Sequence, residues 1–576
     1  MLTRSKHGIF KPKAYAVVRN YLQEEPPTFA IASRFPHWIE AMDSEYNSLL
    51  KQQTWSLVPL PSGKNVVNCK WVYKIKRGSD GSIARYKARL VAKGFLQQYG
   101  LDYEETFSPV VKPATVRIIL ALAVQFNWSL KQLGLSNAFL HGVLQEEVFM
   151  SQPLGYVDPD HPELVCKLHK AIYDLKKAPR AWFDSFTSQL YHIGIQASFA
   201  ESNLFILHQG SFVVYLLLYV DDIIITGNSV PFIDHLVSRL VAVFDLKDLG
   251  PLTYFLGLQI EYTSLGLFVH QSKYALDLLT KFNMLDCKPC LTPCSPTAHV
   301  SSQTSPLLPD PTIFRSMVGG LQYLTFTRPD LAYSVQQVCQ FMSHPTQHHL
   351  VAAKGILRYL KGTLHHGINF QAGSLALSAY CDADWAGDPL DRKSITGMVV
   401  FLGDSPVTWS AKKQFTVPRS STEAEYRALA TTATELSWLR MILKDLGIFL
   451  SLPPMLWCDN VSALALASNP IFHARTKHIE VDYHYIREKV LSKELKVHFI
   501  STLDQIADIF TKALSSPCFL DLAHKLMGVP PLNLRGDVKA HATDGTDGRV
   551  TNIVHAASGK VVDIVGDKAA GKRPIV

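Results

Sequence analysis

No stretch of this 576-residue chain approaches the roughly 20 consecutive apolar residues of a membrane-spanning helix. The first residues, Met1-Leu2-Thr3-Arg4-Ser5-Lys6, lack the apolar core of a signal peptide, so secretion is not expected. Cysteine is scarce: nine residues, scattered and odd in number. That argues against a disulfide framework and for a reducing compartment, the cytoplasm or the nucleus. Cys287, Cys290 and Cys294 stand close together, but no second Cys or His pair follows at zinc-finger spacing, so no structural zinc is expected there. The sharpest absence is of acid. Residues 106–145 contain neither Asp nor Glu, which excludes any chemistry needing a carboxylate from that segment.

What is present leans toward polyanions. The chain is 47% hydrophobic and 18% charged, the composition of a globular protein with room for about three or four domains. Its net charge is +8. Between Lys64 and Gln98 nine basic residues face a single acid, Asp80, and Trp71, Tyr73, Tyr86 and Phe95 are interleaved with them. Cations among aromatics suit a nucleic-acid backbone. The competing reading is a solvated two-stranded hairpin around Gly78-Ser79-Asp80-Gly81.

Tyr219-Val220-Asp221-Asp222 lies between two apolar runs, residues 212–218 and 223–227. Their β-branched and aromatic bias predicts two buried strands joined by a tight turn. Adjacent acids in a turn are commonly plain turn chemistry. Here both flanks are hydrophobic, and carboxylates hung from a core sheet are costly unless a cation meets them. A pair of divalent metals handling phosphates is the usual cation.

Residues 1–25 are basic and then proline-broken at Glu24-Glu25-Pro26-Pro27, as in a linker. The periodicity predicts a helix over 36–53 with Trp38, Met42, Tyr46, Leu49 and Leu50 on one face. Basic strands follow to Phe95, then a helix over 115–126, a short strand over 129–133, and alternating strands and helices to Tyr262. Residues 270–370 read as mainly helical. From Leu375 a strand runs into Asp382-Ala383-Asp384, and a hairpin follows with strands near 397–402 and 407–410. Ser420-Ser421-Thr422 then caps a long helix with Glu423 and Glu425 in its first turn, and Gly447 stops it. Another strand ends at Cys458-Asp459, and helix, strand and helix run to Leu514, with Asp508 expected to begin the last helix. After Arg535 the chain is rich in Gly, Asp, Lys and Ala and reads as a disordered tail.

In this order the motifs resemble the reverse transcriptase and RNase H region of copia-type retrotransposon Pol polyproteins, of plant type. The markers include Tyr86-Lys87-Ala88-Arg89-Leu90, Asn137-Ala138-Phe139-Leu140, Ala178-Pro179-Arg180-Ala181-Trp182 and Tyr219-Val220-Asp221-Asp222. Further on come Lys247-Asp248-Leu249-Gly250, Thr327-Arg328-Pro329-Asp330, Asp382-Ala383-Asp384-Trp385, Glu423-Ala424-Glu425-Tyr426 and Ala507-Asp508-Ile509-Phe510-Thr511-Lys512. The likeness covers residues 26–526. It implies a multidomain chain of α/β and α+β type: a right-hand polymerase, then an RNase H-like mixed-sheet domain. Fingers and palm are expected over 26–270, a mainly helical thumb and connection over 271–370, and the RNase H-like domain over 371–526. Residues 1–25 resemble the segment after integrase, and 527–576 fall outside the likeness. With no zinc knuckle, protease or integrase core in it, the chain reads as a piece of such a polyprotein.

The resemblance also implies chemistry. DNA synthesis and RNA cleavage would each use two Mg²⁺ ions, with Mn²⁺ as a substitute. The implied partners are an RNA template, a DNA primer, the RNA–DNA hybrid and deoxynucleoside triphosphates. No membrane is implied, and the oligomeric state is left open. Asp221 and Asp222 would hold the polymerase metals, Lys87 and Arg89 the triphosphate, and Phe139 would gate against a 2′-hydroxyl. Asp382, Glu425, Asp459 and Asp508 would hold the nuclease metals, with Glu423 competing for the role of Glu425. His478 and His484 read as structural.

Two positions depart from the family. Its third polymerase Asp precedes the Asn-Ala-Phe-Leu motif, where this chain has Gly134 and no nearby acid to replace it. Its glycine between Tyr173 and Leu175 is here Asp174. If that glycine supplies φ > 0 or close approach to the template, an Asp hinders both, and its charge repels phosphate. Polymerase activity is therefore expected to be weak or absent, with the nuclease carboxylates complete. The rival reading is a nucleic-acid-binding relic without turnover.

Overall fold

Strand alternation sorts the basic segment into two faces. In the hairpin formed by Cys69–Arg77 and Ile83–Ala92, Cys69, Trp71, Tyr73 and Ile75 point inward while Lys70, Lys74 and Lys76 point to solvent. Trp71 and Tyr73 are therefore core residues, on the face opposite the lysines, in the two-stranded hairpin that the competing reading expected. The helix Pro36–Lys51, opened by a proline at its first position, covers them. Its Trp38 meets Tyr73 and Tyr86 edge-on, with ring centroids 5.2 and 5.0 Å apart. The buried stripe is Trp38, Met42, Glu45 and Leu49, whereas Leu50 is exposed.

The computed structural model describes residues 23–77, 82–135, 137–244, 246–295, 305–468 and 480–528. The expected turn at Gly78-Ser79-Asp80-Gly81, most of the N-terminal linker, His478 and the tail after Arg535 lie outside the described residues. So does the whole of the second of two compact units, residues 531–576.

A six-stranded sheet carries the polymerase-like turn. Its order is Leu246–Pro251, Leu130–Leu135, Asp222–Gly227, Phe212–Tyr219, Leu204–Gln209 and Gln196–Ala197. The central hairpin closes with Tyr219 opposite Asp222, leaving Val220 and Asp221 as the turn. Val220 has φ +54°, uncommon for a β-branched residue, and its carbonyl accepts the Trp182 indole N–H at 2.7 Å.

Residues 270–370 are mainly helical, as expected, with an added strand, Gly367–Gln371, that pairs with Gly266–His270. Beneath the helices lies a buried ion pair. Arg328 donates to Asp330 at 2.7 Å and to the Thr363 carbonyl at 2.8 Å, and the Tyr359 hydroxyl donates to Asp330 at 2.7 Å. Removing one partner strands a buried charge, so Asp330→Ala is expected to cost about 3–5 kcal/mol in urea unfolding. A cost below about 1 kcal/mol would show that the pair does not hold this region together.

The last sheet is mixed. Ser405–Lys413, Ile395–Leu402 and Leu377–Ala383 run antiparallel, and Met455–Cys458 and Lys496–Phe499 join in parallel. The long helix, Ser421–Asp445, is capped by Ser420, whose hydroxyl accepts from the Glu423 N–H at 3.2 Å. It ends at Gly447, with φ +75°. Two placements differ from expectation. Glu425 is the fifth helical residue, past the first turn, which holds Glu423. Asp508 lies within a short 3-10 helix, Ile506–Phe510, and the last α-helix, Ser516–Leu526, comes after it. The buried Gln505 amide fixes this turn, accepting from Ala507 N–H and donating to the Cys381 carbonyl at 2.9 Å.

The helix Pro113–Gln125 is buried on all sides. It belongs to one apolar cluster that joins Leu217 and Ile224 of the six-stranded sheet to Ala379, Val400, Leu429 and Leu456 of the mixed sheet and its helix. Its Arg117 is fully buried. The guanidinium donates to the Phe326 carbonyl at 2.8 Å and the Val407 carbonyl at 3.1 Å, and lies 3.6 Å from the Trp409 ring centroid. Burial pulls its pKa down to about 9.

Candidate active sites

The first site is a cavity of about 630 Å³ beside the Val220-Asp221 turn. Lys87 and Arg89, from the basic hairpin, line it together with Phe139 and Asp221, so four residues singled out in the sequence meet there. Tyr173 shapes the wall. Its ring packs edge-on to Phe139 at 5.9 Å and lies under Arg89 at 4.8 Å, and its hydroxyl donates to Asn137 at 3.0 Å. Burial, reinforced by the Arg89 charge, holds the Lys87 ammonium below its usual pKa, with Glu45 opposing.

Sequence reasoning missed Glu45, Tyr173 and Lys247 in this wall. Glu45 carried a signal: an acid standing in the helix's buried stripe. It is 7% exposed, one carboxyl oxygen lacks a hydrogen-bond partner, and burial pushes its pKa up against the pull of Lys87.

Asp222 borders the site and is half-buried. Burial, then the Asp221 charge, pushes its pKa up, and the Gln132 side chain works against them. Directly opposite it on the neighbouring strand stands Gly134, which pairs on its other side with Lys247. Residues opposite one another share a sheet face, so an acid at 134 would stand beside Asp222. A Cβ there would lie 3.0 Å from Leu249 Cδ1, the end of a side chain 53% exposed and free to turn aside. Among the described residues, no group of three side chains able to hold a metal includes Asp221 or Asp222. The residues present do not fit a two-metal centre here.

Asp174 is exposed and has φ +70°, the left-handed region that favours glycine. Gly94 packs against it: a Cβ there would sit 1.9 Å from the Asp174 carbonyl oxygen.

The second site lies at one end of the mixed sheet. Asp382, in the strand Leu377–Ala383, Asp459, just after Met455–Cys458, and Asp508 bring carboxylate oxygens within 4.8 Å of one another. Glu425 reaches in from the long helix and forms a second group of the same span with Cys458 and Asp459. Glu423 is committed elsewhere: it accepts from Arg419 N–H at 2.8 Å and pairs with Arg427 at 2.6 Å. His484 lies outside this group, on Glu480–Leu491, 4.0 Å from Glu480.

A cation already stands among these acids. Lys512 Nζ is 2.8 Å from Asp508 and 3.7 Å from Asp382, and the Thr511 hydroxyl donates to Asp382. Burial, with the Asp382 charge, pushes Asp508 up to about 7. Burial and the same charge push Glu425 well above the carboxylate range. Burial works against the Lys512 charge, yet Asp382 and Asp508 hold its pKa above the ordinary value. Four hard oxygen donors from separate elements, with an ammonium among them, fit a divalent metal.

Residues 52–296 match the reverse transcriptase (RNA-dependent DNA polymerase) family. The chain is 48% identical over 537 residues to the retrovirus-related Pol polyprotein from transposon RE1 of Arabidopsis thaliana, covering 92% of this chain and 37% of that one. It is 32% identical over 308 residues to a transposon Ty5-1 protein of Saccharomyces cerevisiae, covering 53% of this chain and 100% of that protein. A foamy viral protease-reverse transcriptase solved in complex with an RNA/DNA hybrid aligns at 13% identity and a TM-score of 0.44, covering 83% of this chain and 55% of its own. This chain belongs to the retrovirus-related Pol polyproteins of transposons, as its copia-type motifs implied. It spans 37% of the length of the Arabidopsis relative.

Proposed function

We propose that this chain acts as a ribonuclease H on RNA–DNA hybrids, attached to a reverse transcriptase centre that is impaired. The observation that carries this is the contrast between the two sites. Asp382, Asp459, Asp508 and Glu425 converge, while Asp222 faces Gly134. In this reading fingers and palm span residues 26–270, thumb and connection 271–370, and the nuclease 371–526.

The four nuclease carboxylates would hold Mg²⁺ or Mn²⁺, which supplies the positive charge that stabilises attacking and leaving oxygens at phosphorus. Thr511 holds the Asp382 carboxylate, and the Thr502 hydroxyl holds Asp459 at 2.9 Å. The hybrid is recognised through backbone shape and 2′-hydroxyls. In the polymerase cavity Lys87 and Arg89 would receive a deoxynucleoside triphosphate and Phe139 would exclude a 2′-hydroxyl, beside an RNA template and a DNA primer. With Gly134 opposite Asp222 where a third acid would stand, binding is expected there without turnover. In this reading the protein works in the cytoplasm or nucleus.

The test uses the full chain on a labelled RNA–DNA hybrid, with primer extension run alongside. Cleavage in Mg²⁺ or Mn²⁺ that stops with a chelator, without extension, is the expected result. A folded protein that binds hybrid in a salt-sensitive way and never cuts it would favour the second reading, an inert binding relic. The departures at Gly134 and Asp174 are what favour that reading.

Lys512 gives a separate prediction. Its ammonium competes with a metal for Asp382 and Asp508, so Lys512→Met is expected to bind Mn²⁺ on the order of 10-fold tighter by calorimetry. Unchanged or weaker binding would mean that the ammonium does not compete for this site.

A further inference from the structure

Cys458 is a soft donor set among hard ones. It is fully buried, ends the strand Met455–Cys458, and its thiol lies with the Glu425 and Asp459 carboxylates in a group spanning no more than 4.8 Å. The thiol lies 3.9 Å from Glu425 Oε2 and 3.4 Å from the Asn460 N–H, and it also meets the Cys381 thiol. Glu425, 6% exposed, has that thiol as its one side-chain hydrogen-bond contact among the described residues, and its remaining contact is with the Ala383 backbone. A buried carboxyl whose side-chain partner is a thiol at 3.9 Å leaves room for a cation between the two. Asp459 is partly exposed and opens the group to solvent.

We propose that Cys458, Glu425 and Asp459 form a binding site for a thiophilic divalent cation, Zn²⁺ or Cd²⁺. One sulfur and two oxygens, from the end of one strand and from one helix, leave a fourth, open position, the ligand count of a three-residue zinc centre. Thiolate favours Zn²⁺ or Cd²⁺ over Mg²⁺, and the thiol proton leaves to solvent on binding. The proposal deepens the nuclease reading and rests on it for its consequence: because Glu425 and Asp459 are shared, zinc occupies the site at the expense of the hard metal and inhibits cleavage.

The experiment titrates Cd²⁺ into the full chain and follows the ultraviolet thiolate-to-cadmium charge-transfer band. Unaltered protein is compared with Cys458→Ser, Cys381→Ser and Glu425→Gln, each checked for a cooperative melt. Cys381 is a near control: it sits on the adjacent strand, its thiol contacts the Trp457 carbonyl at 3.7 Å and meets the Cys458 thiol, but it lies outside the group that Cys458 forms with Glu425 and Asp459. A stoichiometric band is expected in unaltered protein and in Cys381→Ser and lost in Cys458→Ser, with binding weakened more than about 10-fold in Glu425→Gln. If Cys458→Ser does not fold, Glu425→Gln decides, since it keeps every thiol. No band in unaltered protein, a full band in Cys458→Ser, or undiminished affinity in Glu425→Gln would overturn the site. A Cys458-dependent band in a protein that never cleaves hybrid would leave the site standing and overturn the nuclease reading alone. Cleavage without a band would do the reverse.

Discussion

Asp382→Asn is expected to reduce hybrid cleavage more than about 100-fold while leaving hybrid binding within a few-fold. Loss of groups that merely orient metal ligands already costs about 10–100-fold, and a direct ligand should cost more. Asp382 is 3% exposed and groups with Asp459 and Asp508. An amide keeps its shape but not its charge. The fold should not suffer, because the Asp382 charge is among the causes that push Asp508 and Glu425 upward. Removing it relieves like-charge crowding, so the melting temperature is expected to stay level or rise. Lost cleavage at undiminished stability separates a catalytic role from a structural one. Cleavage within about 10-fold of the unaltered protein would sink the carboxylate assignment.

The other large effect is a gain. Unaltered protein is expected to extend a primer barely or not at all, and Gly134→Asp alone to improve it little. Gly134→Asp combined with Asp174→Gly is expected to raise extension at least about 100-fold. The pairing of Gly134 with Asp222 puts a new carboxylate on the correct face, and Leu249 can turn aside for it. Asp174→Gly removes a left-handed non-glycine residue and a negative charge from the surface. Its effect on stability should be small, since relieved strain and the greater freedom of glycine in the unfolded chain oppose one another. Robust Mg²⁺-dependent extension by unaltered protein would overturn this reading. So would a folded double variant that remains inert.

What could be read from the sequence was what is local. The hairpin at Tyr219–Asp222, the Ser420 cap and the stop at Gly447 each depend on a few neighbouring residues, and each stands as expected. The core placement of Trp71 and Tyr73 was left open because composition does not say which face of a strand meets a helix. Glu45 escaped notice because its meaning depends on Lys87, 42 positions away in the sequence. Asp508 was misplaced because Gln505, through a hydrogen bond to a distant strand, tightens that turn into a 3-10 helix. Cys458 was passed over because a cysteine is ordinarily core filling, and only the tertiary arrangement brings Glu425 to it.

The helix Pro113–Gln125, apolar on every side and pinned through Arg117, bears on how this polypeptide can be dissected. Severed near residue 371, each fragment would carry a bare oily face where the other had been. Arg117 would lose the Val407 carbonyl and the Trp409 ring that shelter it. The fragments are therefore expected to aggregate when produced separately and to recover solubility when produced together.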